Sequence, residues 1–178
     1  VSNFTNGQTD LISTKSKVSV NQIQFSLSHN APLFDSTLDY MMVNNIIPMS
    51  WSPLGSFFKK ENNKNKSVHD LLDQLSKKYV ASKDQLLLAW ILKHPSSIHP
   101  VIGTTKTERI NAASLSLQVK LSEIDWFRLL ETYLLAMAAN RVHDQKIADT
   151  DETWSEPPPA YAAKYPFNKV IKTNRHSI

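Results

Sequence analysis

Residues 99–113, HPVIGTTKTERINAA, combine a short apolar segment, a lone glycine, two threonines and the start of a helix. The β-branched pair Val101 and Ile102 predicts a buried strand. Thr105, with Glu108 three residues later, predicts a capping box that opens a helix. The sequence therefore predicts a strand, a tight turn and a helix in succession.

This turn is a candidate anion site. The first N–H groups of a helix have no partner within the helix, and they lie at the positive end of its dipole. Thr104 and Thr105 add hydroxyl donors, Arg109 follows Thr105 by one helical turn, and Lys106 adds charge at the edge. The pattern favours a phosphate-binding helix start. Capped strand-to-helix turns also occur as purely structural features, and that alternative stays open.

The composition is that of a globular protein. The 178 residues are 41% hydrophobic and 20% charged, and the longest apolar run, residues 86–92, is far shorter than a bilayer span. The absence of cysteine excludes disulfides, thiolate metal sites and a cysteine nucleophile, and fits a cytoplasmic location. Much of the net charge of +4 comes from residues 59–66, KKENNKNK, where no aromatic residues interleave. We expect a solvated loop there, and neither a nucleic acid nor a membrane as partner.

Strands and helices alternate along the rest of the chain. Residues 18–25, VSVNQIQF, alternate with a period of two and are rich in β-branched side chains, which predicts a strand. Two further strands are predicted, the end of one at residues 1–4 and a whole one at 46–51, with a weak helix at 6–15. A helix capped by Asp35 is predicted to end at Asn45, with Leu38, Met41 and Met42 on one face. Three more helices are predicted to begin at Ser67 with Asp70, at Ser82 with Gln85, and at Ser122 with Asp125, the last ending near Ala139.

Four strands separated by helices predict a parallel sheet covered on both faces. Either a doubly wound sheet or part of a (β/α)₈ barrel fits, and four units are about half of such a barrel. In both folds the functional residues lie at the carboxyl ends of the strands, a rule that collects Ser2, Asn3, Gln22, Trp51, Ser52, Gly103 and Thr104. Groups that bind an amide, a ring and a phosphate together indicate a nicotinamide dinucleotide.

Four motifs in order, VSNF, NQIQFSL, PMSWSPLG and VIGTTKTERI, resemble the C-terminal half of the aldo-keto reductases. These are (β/α)₈-barrel enzymes that use NADPH to reduce aldehydes and ketones. The resemblance covers residues 1–132. It implies an α/β fold, the C-terminal half of a (β/α)₈ TIM barrel with four β/α units over residues 1–139, followed by an extended, disordered tail.

The resemblance also implies roles for individual residues. Ser2, Asn3 and Gln22 would hold the nicotinamide carboxamide, and Trp51 would stack on the ring. Ser52, Leu54 and Gly55 match the loop along the pyrophosphate, and Thr104, Thr105 and Arg109 match the grip on the adenosine 2′-phosphate. Gly103 occupies a position where the family commonly has lysine, and Ala113 one where it usually has an amide residue, so preference for NADPH over NADH depends mainly on Arg109.

No catalytic residue is predicted in this chain. The family's catalytic Tyr, Lys, Asp and His come from its first four strands, and no residue here matches them; no metal-ligand spacing appears either. The first residue is Val1 rather than Met, which suggests a fragment. We therefore expect the cofactor-binding half of an NADPH-dependent reductase, inactive alone, with a missing N-terminal half or an oligomer as partner. The alternative is a non-enzymatic structural or interaction protein, a remnant or a fusion.

Residues 140–178 form a separate segment rich in proline and tyrosine. Within residues 151–174, TWSEPPPAYAAKYPFNKVIKTN resembles a linker in the baseplate hub, or cell-puncturing, proteins of contractile-tailed phages. The alternative is a disordered tail.

Overall fold

Three short parallel strands form the sheet, in the order β1 (Val20–Gln24), β2 (Ile47–Trp51) and β3 (His99–Pro100). A computed structural model of the chain describes residues 1–58 and 65–150, with side chains as far as residue 142. Residues 1–3 lie along the free side of β1: Ser2 pairs with Gln22 in a parallel bridge, and Asn3 N donates to Gln22 O at 2.8 Å. The predicted alternating, parallel α/β arrangement is confirmed.

Six α-helices connect and cover these strands in the part of the chain that the structure describes. They are α1 (Asn6–Ser13), α2 (Thr37–Val43), α3 (Lys66–Tyr79), α4 (Lys83–Leu92), α5 (Thr107–Ser114) and α6 (Glu123–Thr150). Short 3₁₀ turns lie at Ala31–Leu33 and Leu115–Gln118. None of the described helices is both long and apolar enough to cross a membrane.

The two faces of the sheet differ in burial. Along β1 and its extension, Asn21, Ile23 and Phe25 are buried and join the core formed with α2, α3, α4 and α6. The buried side chain of Asn21 has hydrogen-bond partners, because its amide donates to Phe4 O at 2.9 Å and accepts from Phe4 N at 3.3 Å. On the other face, Gln22 pairs in register with Met49, and both are half-buried. The period of two in the sequence thus marks a packed face and a more open one.

Two tryptophans join α4 to α6. Trp90 and Trp126 stack with ring centroids 4.9 Å apart and an angle of 7° between the planes. Trp126 Nε1 donates to Trp90 O at 2.8 Å, and Trp90 Nε1 donates to Trp126 O at 3.1 Å. Trp90 lies in the last turn of α4, where carbonyls lack donors within the helix, so Trp126 supplies the donor that this buried helix end needs.

A buried carboxylate holds the start of α6 against the end of α3. Asp125 accepts from Lys78 Nζ and Tyr79 Oη, both at 2.6 Å, from Ser122 Oγ at 2.9 Å and from Arg128 at 3.0 Å. Burial would raise the pKa of this carboxyl, but the hydrogen bonds from these four partners outweigh burial and hold the pKa well below its ordinary value. Asp125 is therefore ionised in the folded protein at neutral pH.

The predicted capping box of Ser82 with Gln85 forms at the start of α4, where Gln85 accepts from Ser82 N at 2.9 Å. At the predicted start of α6, Asp125 N donates to Ser122 Oγ at 3.1 Å, and Ser122 N donates to Tyr79 Oη at 3.0 Å. Ser67 with Asp70 was a wrong prediction, because α3 begins at Lys66 and Ser67 already lies inside the helix.

The box of Thr105 with Glu108 was also wrong, because α5 begins at Thr107 after Lys106. The hydroxyl of Thr104 accepts from Lys106 N at 3.2 Å, so a turn forms before the helix and its start is delayed by one residue. A capping box that was not predicted, Thr5 with Gln8, opens α1.

Four further boundaries differ from the predictions. Residues 1–4 make one bridge rather than a full strand. Helix α2 covers only Thr37–Val43, and on so short a helix Met42 is 45% exposed while Leu38 and Met41 are buried. Val101 is half-buried and Ile102 is 36% exposed, so this pair is not the buried strand that was expected. Helix α6 continues past Ala139 to Thr150.

The site described below lies within the compact unit Val1–Asn140. The predicted extended tail is wrong for residues 140–150, which belong to α6. The predicted phage-like segment at residues 151–174, and the predicted disorder of the rest of the tail, lie outside the described residues. The boundary predicted between residues 139 and 140 stays a prediction.

Candidate cofactor site

A cavity of about 730 Å³ opens where β2 and β3 end. Its walls come from the loop after β2, the turn after β3 and the first turns of α4 and α5. Seven of the eleven residues predicted to bind a cofactor line it: Trp51, Ser52, Leu54, Gly55, Gly103, Thr104 and Arg109. Residues 58 positions apart in the sequence, Trp51 and Arg109, thus face one space.

The loop after β2 turns sharply away from the sheet. Ser52 has a φ of 51°, and Gly55 N donates to Ser52 O at 2.8 Å to close a turn. Gly55 itself has a φ of 57°, a conformation that glycine adopts without steric cost. The turn brings residues 52–55 to the wall of the cavity, and Pro53 within it is buried.

Ser2, Asn3 and Gln22 do not line the cavity: Gln22 is the middle residue of β1, and Ser2 and Asn3 pair with it. Trp51 connects the two places, because its Nε1 donates to Asn3 Oδ1 at 2.9 Å. Ser2 Oγ donates to Gln22 O at 3.3 Å, and Asn3 Nδ2 donates to Ser2 Oγ at 3.4 Å. The side chains of Ser2 and Asn3, the backbone carbonyl of Gln22 and the Trp51 indole therefore form one hydrogen-bonded group.

The turn after β3 contributes both apolar and charged groups. Val101 N donates to Ser50 O at 2.8 Å, which continues the pairing with β2, and the Val101 and Ile102 side chains line the cavity. Their partial exposure follows from this position, since they cover the cavity wall rather than the core. Arg109 lies in the first turn of α5 and lines the cavity, whereas Thr105 is exposed and does not.

Sequence reasoning missed the contribution of α4. Asp84 and Leu88 line the cavity from positions i and i+4 of this helix, and Phe58 and Ala113 complete the wall. The spacing of Asp84 and Leu88 places them on one helical face, but which face meets a cavity depends on tertiary packing. Asp84 and Arg109 line the same cavity, so these two residues give the site one negative and one positive charge.

The described residues contain no group of three His, Cys, Asp or Glu side chains able to hold a metal ion. The cavity has the features of a ligand site, namely an apolar lining with a few polar groups and a volume within the range of about 300–1,000 Å³ for such sites. A flat indole, a strained backbone turn and an arginine at a helix start are groups that contact a ring and phosphates.

Comparison with known proteins gives the family. Residues 1–133 match the Aldo/keto reductase family. The chain is 35% identical over 134 residues to the uncharacterized oxidoreductase YcsN of Bacillus subtilis (strain 168), an alignment that covers 72% of this chain and 45% of that protein. It is 33% identical over 137 residues to the oxidoreductase YdhF of Escherichia coli (strain K12), with 75% of this chain and 46% of that protein covered.

A solved structure shows the same fold. The aldo-keto reductase of Klebsiella pneumoniae in complex with NADPH superimposes with a TM-score of 0.65 at 19% identity, over 75% of this chain and 46% of that one. The fold is thus an α/β arrangement with a parallel sheet, similar to that barrel reductase. The chain belongs to the aldo/keto reductase family. It spans less than half the length of the curated relatives that it matches.

Proposed function

We propose that this chain binds NADP(H) as the cofactor-binding portion of an aldo-keto reductase. The observation that carries the proposal is that Trp51, the turn of residues 52–55 and Arg109 line one cavity. NADPH, when bound, supplies a hydride to a carbonyl carbon. The chain's own residues bind and orient the dinucleotide.

Each part of the dinucleotide has a complementary group. The Trp51 indole, held by Asn3, offers a flat face to the nicotinamide, and the amide groups of Asn3 and Gln22, two residues joined by a backbone hydrogen bond, bind its carboxamide. The backbone of residues 52–55 follows the pyrophosphate, and the positive φ of Gly55 allows the turn to close at the cavity wall.

Arg109 is the residue that we assign to the 2′-phosphate. Its position in the first turn of α5 adds a guanidinium to the positive end of that helix, and both favour an anion. Thr104 and Thr105, in the turn before the helix, add hydroxyl groups, and Gly103 adds a backbone N–H. Because the Asp84 carboxylate lines the same cavity, the positive charge of Arg109 also compensates its negative charge.

In this proposal, the chain on its own does not reduce carbonyl compounds. No residue of the sequence matches the family's catalytic Tyr, Lys, Asp or His, and a positioned proton donor is needed at the carbonyl oxygen. We propose that further β/α units, in the same or another polypeptide, supply these groups against the more open face of the sheet. Ile47, which is 44% exposed on that face, is an apolar residue that such units would cover.

Isothermal titration calorimetry on the full chain tests the proposal. We expect NADPH to bind with one site per chain, and NADH to bind more weakly because it lacks the 2′-phosphate. Arg109→Ala removes a charge-assisted contact of about 1.5 kcal/mol, so its affinity for NADPH should fall about tenfold while its affinity for NADH stays the same. Arg141→Ala, which removes the same charge from a residue that does not line the cavity, is the matched control.

Failure of the unsubstituted chain to bind NADPH or NADH would refute the proposal. An equal loss of NADPH affinity in Arg109→Ala and Arg141→Ala would refute the assignment of Arg109 to the 2′-phosphate, and the proposal that the chain binds NADP(H) would stand.

A second candidate function is that of a non-enzymatic interaction protein. The exposed apolar side chains of α6 favour it: Ile124, Phe127 and Leu135 are 73%, 63% and 63% exposed. A melting temperature that does not rise with saturating NADPH, together with a concentration-dependent oligomer in light scattering, would support this candidate over the first.

A further inference from the structure

Ser28, in the turn after β1, contacts the loop after β2 through its hydroxyl group. Ser56 N donates to Ser28 Oγ at 3.2 Å, and Ser28 Oγ lies 3.3 Å from the buried Ser26 Oγ. The loop backbone is therefore fixed from a segment that does not line the cavity.

Gly55 lies directly against the same hydroxyl. A Cβ atom at Gly55 would lie 1.9 Å from Ser28 Oγ and 2.8 Å from Ser26 Oγ, distances that exclude any side chain there without displacement. The positive φ of Gly55 is the backbone conformation that allows this approach. Ser28 and Gly55 thus set how far the turn of residues 52–56 closes onto the sheet.

Helix α6 holds Ser28 from the other side. Tyr133 Oη donates to Ser28 O at 3.0 Å, across 105 residues of sequence. The Tyr133 ring also meets the ring of Phe57, with centroids 6.1 Å apart and 66° between the planes. Since Phe57 is 4% exposed and follows Ser56 directly, Tyr133 fixes both the loop and the residue on which the loop rests.

We propose that Ser28 and Tyr133 are positioning residues for dinucleotide binding: they hold the turn of residues 52–56 in the conformation that lines the cavity. This inference rests on the proposed function. A loop that is ordered before the ligand arrives does not lose conformational freedom on binding, so removal of its supports weakens affinity without removal of a ligand contact.

Two variants of the full chain test the inference by calorimetry well below the melting temperature. Ser28→Ala removes the acceptor for Ser56 N, and Tyr133→Phe keeps the ring against Phe57 but removes the hydroxyl donor. Each should weaken NADPH binding about three- to tenfold, the equivalent of one hydrogen bond. The loss should be equal for NADH, because the loop does not contact the 2′-phosphate; this separates the two variants from Arg109→Ala.

Tyr79→Phe is the matched control for loss of a tyrosine hydroxyl. Tyr79 Oη donates to Asp125, so this variant should lower the melting temperature and leave the NADPH affinity unchanged. If the unsubstituted chain binds NADPH and both Ser28→Ala and Tyr133→Phe bind it equally well, the positioning role is overturned and the proposed function stands. If the unsubstituted chain binds no dinucleotide, both fail. If Ser28→Ala does not fold, Tyr133→Phe alone decides between these results.

Discussion

Trp126→Phe tests how the packing that supports the site is held together. The substitution keeps an aromatic ring against Trp90 but removes the indole N–H that donates to Trp90 O at 2.8 Å. That carbonyl is in the last turn of α4, in the buried contact between two helices, so it keeps no donor from the helix after the substitution.

The magnitude follows from two losses. A buried carbonyl left without a donor costs about 1–3 kcal/mol. The stacked pair, with centroids 4.9 Å apart, loses part of its contact area and of an aromatic interaction that contributes about 0.5–1.5 kcal/mol. We expect the free energy of unfolding to fall by about 3 kcal/mol, which for a chain of this size lowers Tm by about 6–12 °C.

Urea unfolding followed by far-ultraviolet circular dichroism measures the change without a signal from the substituted indole. Trp51→Phe is the matched control, because its Nε1 donates to Asn3 at the exposed end of a strand, and we expect a loss below about 1 kcal/mol there. Equal stability of Trp126→Phe and the unsubstituted chain would refute the assignment of the reciprocal hydrogen bonds as a principal link between α4 and α6.

Two further predictions concern Asp125 and the glycines. The pKa of Asp125 is held below its ordinary value of about 3.9, so the carboxylate stabilises the fold above about pH 4. This stabilisation is lost as the pH falls further. Asp125→Asn should therefore flatten the dependence of Tm on pH between about pH 5 and 2. Gly55→Ala should lower the free energy of unfolding by about 1–2 kcal/mol or more, because of the contact with Ser28 and the positive φ. Gly7→Ala, in open space within α1, should raise the free energy of unfolding by about 0.5–1 kcal/mol. Chemical denaturation of both variants measures whether the two changes in unfolding free energy have opposite signs.

The strand at residues 18–25 could be predicted because burial of one face of a sheet produces a period of two in the sequence, and the strand at residues 46–51 because a short apolar run is typical of a buried strand. The alternation of strands and helices then limits the fold to a parallel α/β arrangement, and the carboxyl ends of the strands locate the site. Seven of the predicted residues line one cavity for this reason.

Local patterns were less reliable for helix starts. The sequence pattern of Ser122 with Asp125 and that of Thr105 with Glu108 are alike, but only the first forms a cap. At the second, the Thr104 hydroxyl accepts from the Lys106 N–H and a turn forms in place of the first predicted helical residue. Competition of this kind between neighbouring hydroxyl groups is not decided by spacing.

The remaining parts of the site depend on contacts distant in sequence. Asp84 and Leu88 belong to it only because α4 packs beside the turn after β3, and Tyr133 reaches Ser28 across most of the chain. Val101 and Ile102 appeared to be core residues because apolar side chains that line a ligand cavity have the same composition as those of a core.

Hydrogen exchange followed by mass spectrometry, on the full chain with and without saturating NADPH, tests dinucleotide binding at this cavity most directly. We predict slower exchange in two segments distant in sequence, residues 51–58 and 103–109, both of which contribute residues to the cavity lining. Unchanged exchange in both segments, or protection confined to other parts of the chain, would contradict the proposed NADP(H) site.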